Sequence, residues 1–183
     1  MERITATTTV EELAALVSTT LEAAGIAAVL SGGAVVSIYT NNEYESNDLD
    51  FISPASTNRI AEAMASLGFQ REGRMFSHPR TPLFVEFPAG PLAIGDELIR
   101  PSEVGEKRTA AGTIMLLTPT QCVMDRLAAY FHWNDLQSLD QAVMVASSQK
   151  ISFAKLDAWA KREGATDKLA KFKQQLAARK RSS

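Results

Sequence analysis

The stretch Leu30–Ile52 constrains the fold of this chain most, because a glycine pair and two aspartates interrupt its apolar residues at defined positions. A short apolar run over 27–30 breaks at Gly32-Gly33, and a second apolar run follows over 34–40. This order predicts a short strand, a glycine turn and a helix. A polar loop then leads to a second apolar segment that carries the two aspartates.

Those aspartates, Asp48 and Asp50, alternate with Leu49 and Phe51. Successive strand residues point to opposite faces, so the two carboxylates share one face and the apolar pair faces the core. Their Cα atoms lie roughly 6–7 Å apart at a rise of ~3.3 Å per residue. Adjacent carboxylates raise each other's pKa unless a positive charge lies between them. A hard divalent cation such as Mg²⁺ meets that need.

Each part of this pattern also has a plainer interpretation. Most Asp-x-Asp triplets are solvated strand ends or turn residues, and most Gly-Gly pairs are simple turns. The combination is more specific than either part, because one strand ends in the glycine turn and the next carries paired acids between apolar residues.

The order GGAVVSIY followed by SNDLDF resembles the nucleotidyltransferase superfamily, and it is most similar to the AbiEii-type (abortive-infection, toxin-like) members. The resemblance implies an α/β (α+β) fold, with a mixed sheet flanked by helices and a C-terminal helical part. It also implies a metal-dependent enzyme that transfers a nucleoside monophosphate from an NTP to a hydroxyl of a tRNA, a protein or a small molecule. Two Mg²⁺ ions are the implied cofactors.

A third acid, Glu86, lies in the apolar run LFVEF, which predicts a strand over 83–87. A buried Glu without a partner is costly. In the superfamily a third carboxylate comes from the strand beside the Asp-x-Asp strand, and the resemblance gives Glu86 that role. A solvated edge strand is the alternative.

The resemblance also implies nucleotide contacts from six residues: Ser31, Gly32, Gly33, Ser46, Arg126 and Tyr130. A guanidinium grips phosphate oxygens in a bidentate manner, and an aromatic ring stacks on a base. The alternative is that Arg126 pairs with Asp125 or Asp135, and that Tyr130 and Trp133 pack between helices.

The chain departs from the family pattern at three places, and the missing Ser and Lys favour a second hypothesis. Gly33 replaces a common Ser, Tyr44 replaces an Arg, and Asp125-Arg126 occupies the place of a helical Lys. The alternative function is a nucleotide sensor or partner-binding, toxin–antitoxin-like module that keeps the fold without turnover.

The chain order predicts an α/β core over 1–117 and a helical region over 118–183. Residues 89–111 are rich in Gly, Pro and charge, and they predict a long connection. Thr118-Pro119 marks a helix start, and helices are expected near 135–146, 153–162 and 166–179.

Composition and charge indicate the cellular compartment and the kinds of partner to expect. The chain has 183 residues, a net charge of −2 and one cysteine, which fits a reducing cytoplasm. The N-terminus has no signal-like apolar core, and no apolar run is long enough to span a membrane. The segment 168–183 carries six basic residues and no acidic one, which indicates either nucleic-acid contact or a solvated last helix. An antitoxin or a second copy of the chain is the expected protein partner.

Overall fold

The computed structural model describes residues 4–182. Seven strands form a mixed sheet in the order β3-β4-β5-β2-β1-β9-β8, and β6 and β7 form a separate hairpin. The strands are β1 Val29–Ser31, β2 Asp48–Ile52, β3 Gln70–Glu72, β4 Met75–His78, β5 Thr81–Glu86, β6 Ala93–Ile94, β7 Glu97–Leu98, β8 Gly105–Thr109 and β9 Gly112–Leu116.

Within the described residues, seven α-helices accompany the sheet. They are α1 Val10–Ala23, α2 Gly32–Tyr39, α3 Thr57–Ser66, α4 Pro119–Trp133, α5 Leu136–Ser148, α6 Phe153–Arg162 and α7 Thr166–Ser182. The predicted mixed α/β architecture with a helical C-terminal part is confirmed. The division at residue 117 stays a prediction.

Local sequence explains where helices α1 and α4 begin. The Thr9 side chain accepts the Glu12 backbone N–H, and the Glu12 side chain accepts the Thr9 N–H, which completes a capping box at α1. The same exchange between Thr118 and Gln121 begins α4, with Pro119 in the first turn.

The two faces of the central strands differ sharply. Leu49 and Phe51 are fully buried, whereas Asp48, Asp50 and Ile52 on the alternate positions of β2 are only half-buried. This alternation is the period-two pattern of a strand with one core face and one open face. The central sheet therefore presents its acids on the more open side.

The segment 89–111, predicted as a long connection, contains regular structure and a strand of the main sheet. The segment contains β6, β7, a short 3-10 helix over Pro101–Glu103 and the edge strand β8. Strand β8 pairs antiparallel with β9, from Gly105 opposite Leu116 to Thr109 opposite Gly112. Its sequence GEKRT contains no apolar residue, because an edge strand can expose charged side chains, so the usual apolar signal is missing.

The C-terminal helices pack on the sheet layer through polar and apolar contacts. The Tyr39 hydroxyl at the end of α2 donates to the Leu117 carbonyl at 2.7 Å, and Gln149 after α5 donates to the Tyr39 carbonyl at 2.8 Å. Trp159 of α6 is fully buried and stacks on Phe131 of α4 with a centroid separation of 5.1 Å.

The cations of α7 have intramolecular partners at several positions. Lys168 Nζ donates to the carbonyls of Tyr130 and Phe131, where the dipole of α4 is negative. Lys173 pairs with Asp157, and Arg179 pairs with Glu43. These contacts favour the interpretation of this segment as a packed last helix. Over residues 4–182, each helix is too short or too polar to cross a bilayer.

Candidate active site

Three carboxylates meet on the open side of the sheet. Strand β2 pairs parallel with β5, and this register places Asp50 directly opposite Glu86. One oxygen from each of Asp48, Asp50 and Glu86 lies within 4.8 Å of the others. Strand β5 lies between β4 and β2, so Glu86 is not on the solvated edge that was the alternative.

The glycine turn lies against this cluster. Gly32 has a φ of +71°, a region that side chains other than glycine rarely adopt. A Cβ at Gly32 would lie 2.6 Å from Asp50 Oδ2, closer than atoms can approach. The N-terminus of α2 therefore reaches the carboxylates only because this residue has no side chain.

Two serines fix the backbone of the site. The Ser31 hydroxyl donates to the Asp50 carbonyl at 3.3 Å, across the β1–β2 pair. The Ser46 hydroxyl donates to the Asp48 carbonyl at 2.9 Å and accepts the Asp48 N–H at 3.2 Å. Both hydroxyls thus hold the strand that presents the acids, whereas the sequence predicts nucleotide contacts for them.

Burial and mutual repulsion raise the pKa of the paired aspartates. Burial raises the pKa of Asp50 to about 6, the charges of Asp48 and Glu86 add to the rise, and the charge of Arg126 opposes it. Burial also raises the pKa of Asp48, with a further contribution from Glu86. These shifts mean that the site is short of positive charge.

The acids fit a divalent cation. Asp48 Oδ1 is buried and has no hydrogen-bond partner. A buried carboxylate oxygen without a partner is unfavourable, so an additional ligand for it is expected. Oxygen atoms from three acids are the donor set that Mg²⁺ prefers. Among the described residues, these three acids are the one set of acidic, histidine or cysteine side chains that lie close enough together to hold a metal ion.

Arg126 lies near the acids but is already engaged. Its Nε and Nη2 atoms donate to Asp125 Oδ2 at 3.1 and 2.5 Å, and Nη1 donates to Gln141 Oε1 at 3.4 Å. The alternative pairing with Asp125 is therefore present. Gln141 is a buried contributor that could not be predicted from the sequence, because it follows the charged Asp140 and nothing in the helical periodicity marks it as buried.

Tyr130 does not offer the base-stacking face that the sequence predicts. The residue is 3% exposed, and Lys168 Nζ lies 5.1 Å from its ring centroid. Tyr130 is a core residue that faces α7, and we remove it from the candidate nucleotide site. Trp133, for which stacking on a base and packing between helices were both open, is 82% exposed at the end of α4 and does not pack between helices.

The raised pKa of Asp50 gives a testable dependence of stability on pH. In the metal-free protein the folded state holds this proton more tightly than the unfolded chain, whose ordinary value is 3.8. The stabilisation is fully present below pH 3.8 and is lost as the pH rises through about 6. We expect the Tm of the wild type to fall relative to that of Asp50→Asn over this window.

Differential scanning calorimetry of both proteins in chelator checks this expectation. Mg²⁺ should reverse the loss above the pKa of Asp50, because the cation replaces the proton among the carboxylates. A constant difference in Tm between wild type and Asp50→Asn across this pH window would contradict the assigned electrostatics.

Comparisons with known proteins test the predicted fold. No protein-family model matches the chain. No curated protein sequence matches it either. Among solved structures, the chain is similar to an antigenic nucleotidyltransferase-like protein from Paracoccidioides brasiliensis, with a TM-score of 0.53 and 11% identity over 76% of this chain and 77% of that one.

The chain is also similar to the antibiotic-resistance factor ANT(2'')-Ia, with a TM-score of 0.50 and 12% identity over 94% of this chain and 95% of that one. At these identities the likeness concerns the fold alone, and the AbiEii-type resemblance stays a prediction. The solved neighbours and the acid-bearing sheet together give this chain a nucleotidyltransferase-like fold.

Proposed function

We propose that the protein is a metal-dependent nucleotidyltransferase that moves a nucleoside monophosphate from an NTP to an acceptor hydroxyl and releases pyrophosphate. The convergence of Asp48, Asp50 and Glu86 within 4.8 Å is the observation that carries the proposal. The adjoining glycine turn supports it, because the turn brings a helix N-terminus to the same place.

The acid trio would hold the metal ions. Asp48 and Asp50 would bind two Mg²⁺ ions, and Glu86 would complete the shell of one of them. Bound Mg²⁺ supplies charge stabilisation for the leaving pyrophosphate and lowers the pKa of the acceptor hydroxyl.

Groups of the protein itself bind the phosphates and accept the proton. The backbone N–H groups at the start of α2 bind phosphate oxygens, because a helix N-terminus carries unpaired donors and a partial positive charge. Gly32 allows the phosphates to approach this backbone closely. Arg126 adds positive charge beside Asp50. Glu86 accepts the proton of the acceptor hydroxyl as the new P–O bond forms.

A nucleotide sensor or partner-binding module is the second candidate. The engagement of Arg126 by Asp125 favours it, because a paired guanidinium contributes less to phosphate binding. The unpartnered oxygen of Asp48 favours the enzyme. A toxin–antitoxin-like partner and a tRNA or protein acceptor rest on the resemblance of the central stretch, and a cytoplasmic setting rests on the single cysteine.

Label transfer separates the two candidates. Wild-type protein is incubated with each α-labelled NTP, Mg²⁺ and either bulk tRNA, protein extract or a small-molecule fraction. We expect covalent transfer of label with one NTP, dependent on Mg²⁺ and abolished by chelator. NTP binding in equilibrium dialysis without transfer to any fraction would contradict the enzyme and favour the sensor.

A further inference from the structure

A cleft of about 1030 Å³ opens at the end of the central strands away from the glycine turn. Its floor includes Val29 at the start of β1, Ile52 at the end of β2 and Met115 of β9. The loop over 89–92 and the segment around Val104 also line it. This volume is at the upper end of the range that small-molecule sites occupy in proteins.

The cleft adjoins the acid trio along β2. Ile52 follows Asp50 by two residues and shares its face, and Val29 pairs with Ile52 in the β1–β2 register. Gly90 lies over this floor, since a Cβ there would be 3.4 Å from Ile52 Cγ2. The floor therefore begins at Ile52, two residues along β2 from Asp50, which is roughly 6–7 Å at a rise of ~3.3 Å per residue.

The walls of the cleft select against polyanions. Alanine, valine, isoleucine, leucine, methionine and proline dominate its lining, and no lysine or arginine is among the described residues that form it. The one ionisable group there is the carboxylate of Glu22. A nucleic-acid backbone needs cations for binding, so this cleft does not suit one.

One polar group in the cleft lacks a partner. Ser18 lines the cleft, is 7% exposed, and its hydroxyl makes no hydrogen bond within the protein. Buried hydroxyls are normally paired, so this one is unusual, but its oxygen is itself covered by the protein and does not face the open cleft. Glu22 follows Ser18 by four residues on α1 and therefore lies on the same side of that helix. Glu22 is exposed, so its carboxylate can accept a hydrogen bond from a ligand in the cleft.

We propose that this cleft binds the acceptor, and that the acceptor is a small alcohol with an apolar body and a neutral or cationic polar group at its far end. The inference rests on the proposed function. The acceptor oxygen bonds to the α-phosphorus, the bond from that phosphorus to the pyrophosphate oxygen breaks, and the hydroxyl proton passes to Glu86. The Glu22 carboxylate receives the distal polar group.

A fluorescent probe tests the cleft independently of turnover. N-phenyl-1-naphthylamine is neutral and apolar, and it fluoresces strongly only outside water. We expect saturable binding to the wild type, a tenfold or greater loss of affinity in Met115→Trp, and unchanged affinity in Asp50→Asn. If Met115→Trp has a lower Tm than the wild type, Thr113→Trp is the second variant, because it fills the cleft from the next position on the same face of β9.

Acceptor preference tests the assignment itself. Label transfer to 2-phenylethanol and to 2-[4-(aminomethyl)phenyl]ethanol, which adds a distal cationic group, is compared with transfer to glucosamine, which is polar throughout. We expect the two apolar-bodied alcohols to be labelled at least tenfold faster, and the cleft-filling variant to reduce only their labelling.

The outcomes separate the inference from the function on which it rests. Faster transfer to glucosamine or RNA than to the two alcohols, transfer to the alcohols that Met115→Trp leaves unchanged, or absence of probe binding in the wild type would overturn the inference and leave the transferase standing. Probe binding without transfer to any acceptor, in a protein that also fails to bind metal, would overturn both.

Discussion

Asp50→Asn is expected to reduce nucleotidyl transfer by ~10³-fold or more, because it removes a carboxylate from a metal site that stabilises the transition state by several kcal/mol. The substitution keeps the shape of the side chain, so the fold should be retained. Relief of repulsion from Asp48 and Glu86 should even raise the Tm of the metal-free protein above the pKa of Asp50. Initial rates of label transfer at saturating NTP measure the effect.

Asp140→Asn is the matched control for this loss of charge. Asp140 is exposed in α5 and is not one of the three clustered acids, and its replacement removes the same charge with the same change of shape. We expect its transfer rate to stay within a factor of two of wild type, as is usual for surface substitutions. Equal rates for the two variants would remove Asp50 from the proposed chemistry.

Gly32→Ala is expected to have the second large effect, on stability and on the site together. Alanine at a φ of +71° costs about 1–2 kcal/mol, and the new Cβ would also collide with Asp50 Oδ2. The collision forces either the helix terminus or the Asp50 carboxylate to move. We expect a loss of about 2–4 kcal/mol in denaturant unfolding, together with weakened metal binding.

Gly164→Ala separates strain from collision. Gly164 has a nearly equal φ of +66°, but a Cβ there would meet nothing within 4 Å. Its loss of stability should therefore be about 1–2 kcal/mol, without any effect on metal binding. If Gly32→Ala destabilises no more than Gly164→Ala and binds metal normally, the contact between the turn and Asp50 has been misassigned.

The central stretch could be predicted because each of its features is local. Alternation fixes which side of β2 the aspartates occupy, and a glycine pair after an apolar run indicates a turn. The mixed α/β fold followed from the same pattern together with the family resemblance. The pairing of β5 beside β2, which brings Glu86 to the trio, came from the resemblance alone.

Other features depend on tertiary contacts that the sequence does not encode locally. The edge strand β8 lacks apolar residues and is recognisable only through its pairing with β9. The burial of Tyr130 depends on the position of Lys168, nearly forty residues later, and the engagement of Arg126 depends partly on Gln141 from another helix. The apolar cleft is formed by segments from four regions of the chain, so no single sequence motif predicts it.

Binding of Mn²⁺, a paramagnetic substitute for Mg²⁺, tests the central claim most directly. The EPR signal of free Mn²⁺ is followed during titration of wild type, of the Asp48→Asn/Asp50→Asn double variant, and of an Asp140→Asn/Asp167→Asn double variant as the charge-matched control. The acid trio predicts loss of free signal with the wild type and the control, and none with the site variant. Equal binding by all three proteins, or no binding by the wild type, would contradict a metal centre at these carboxylates.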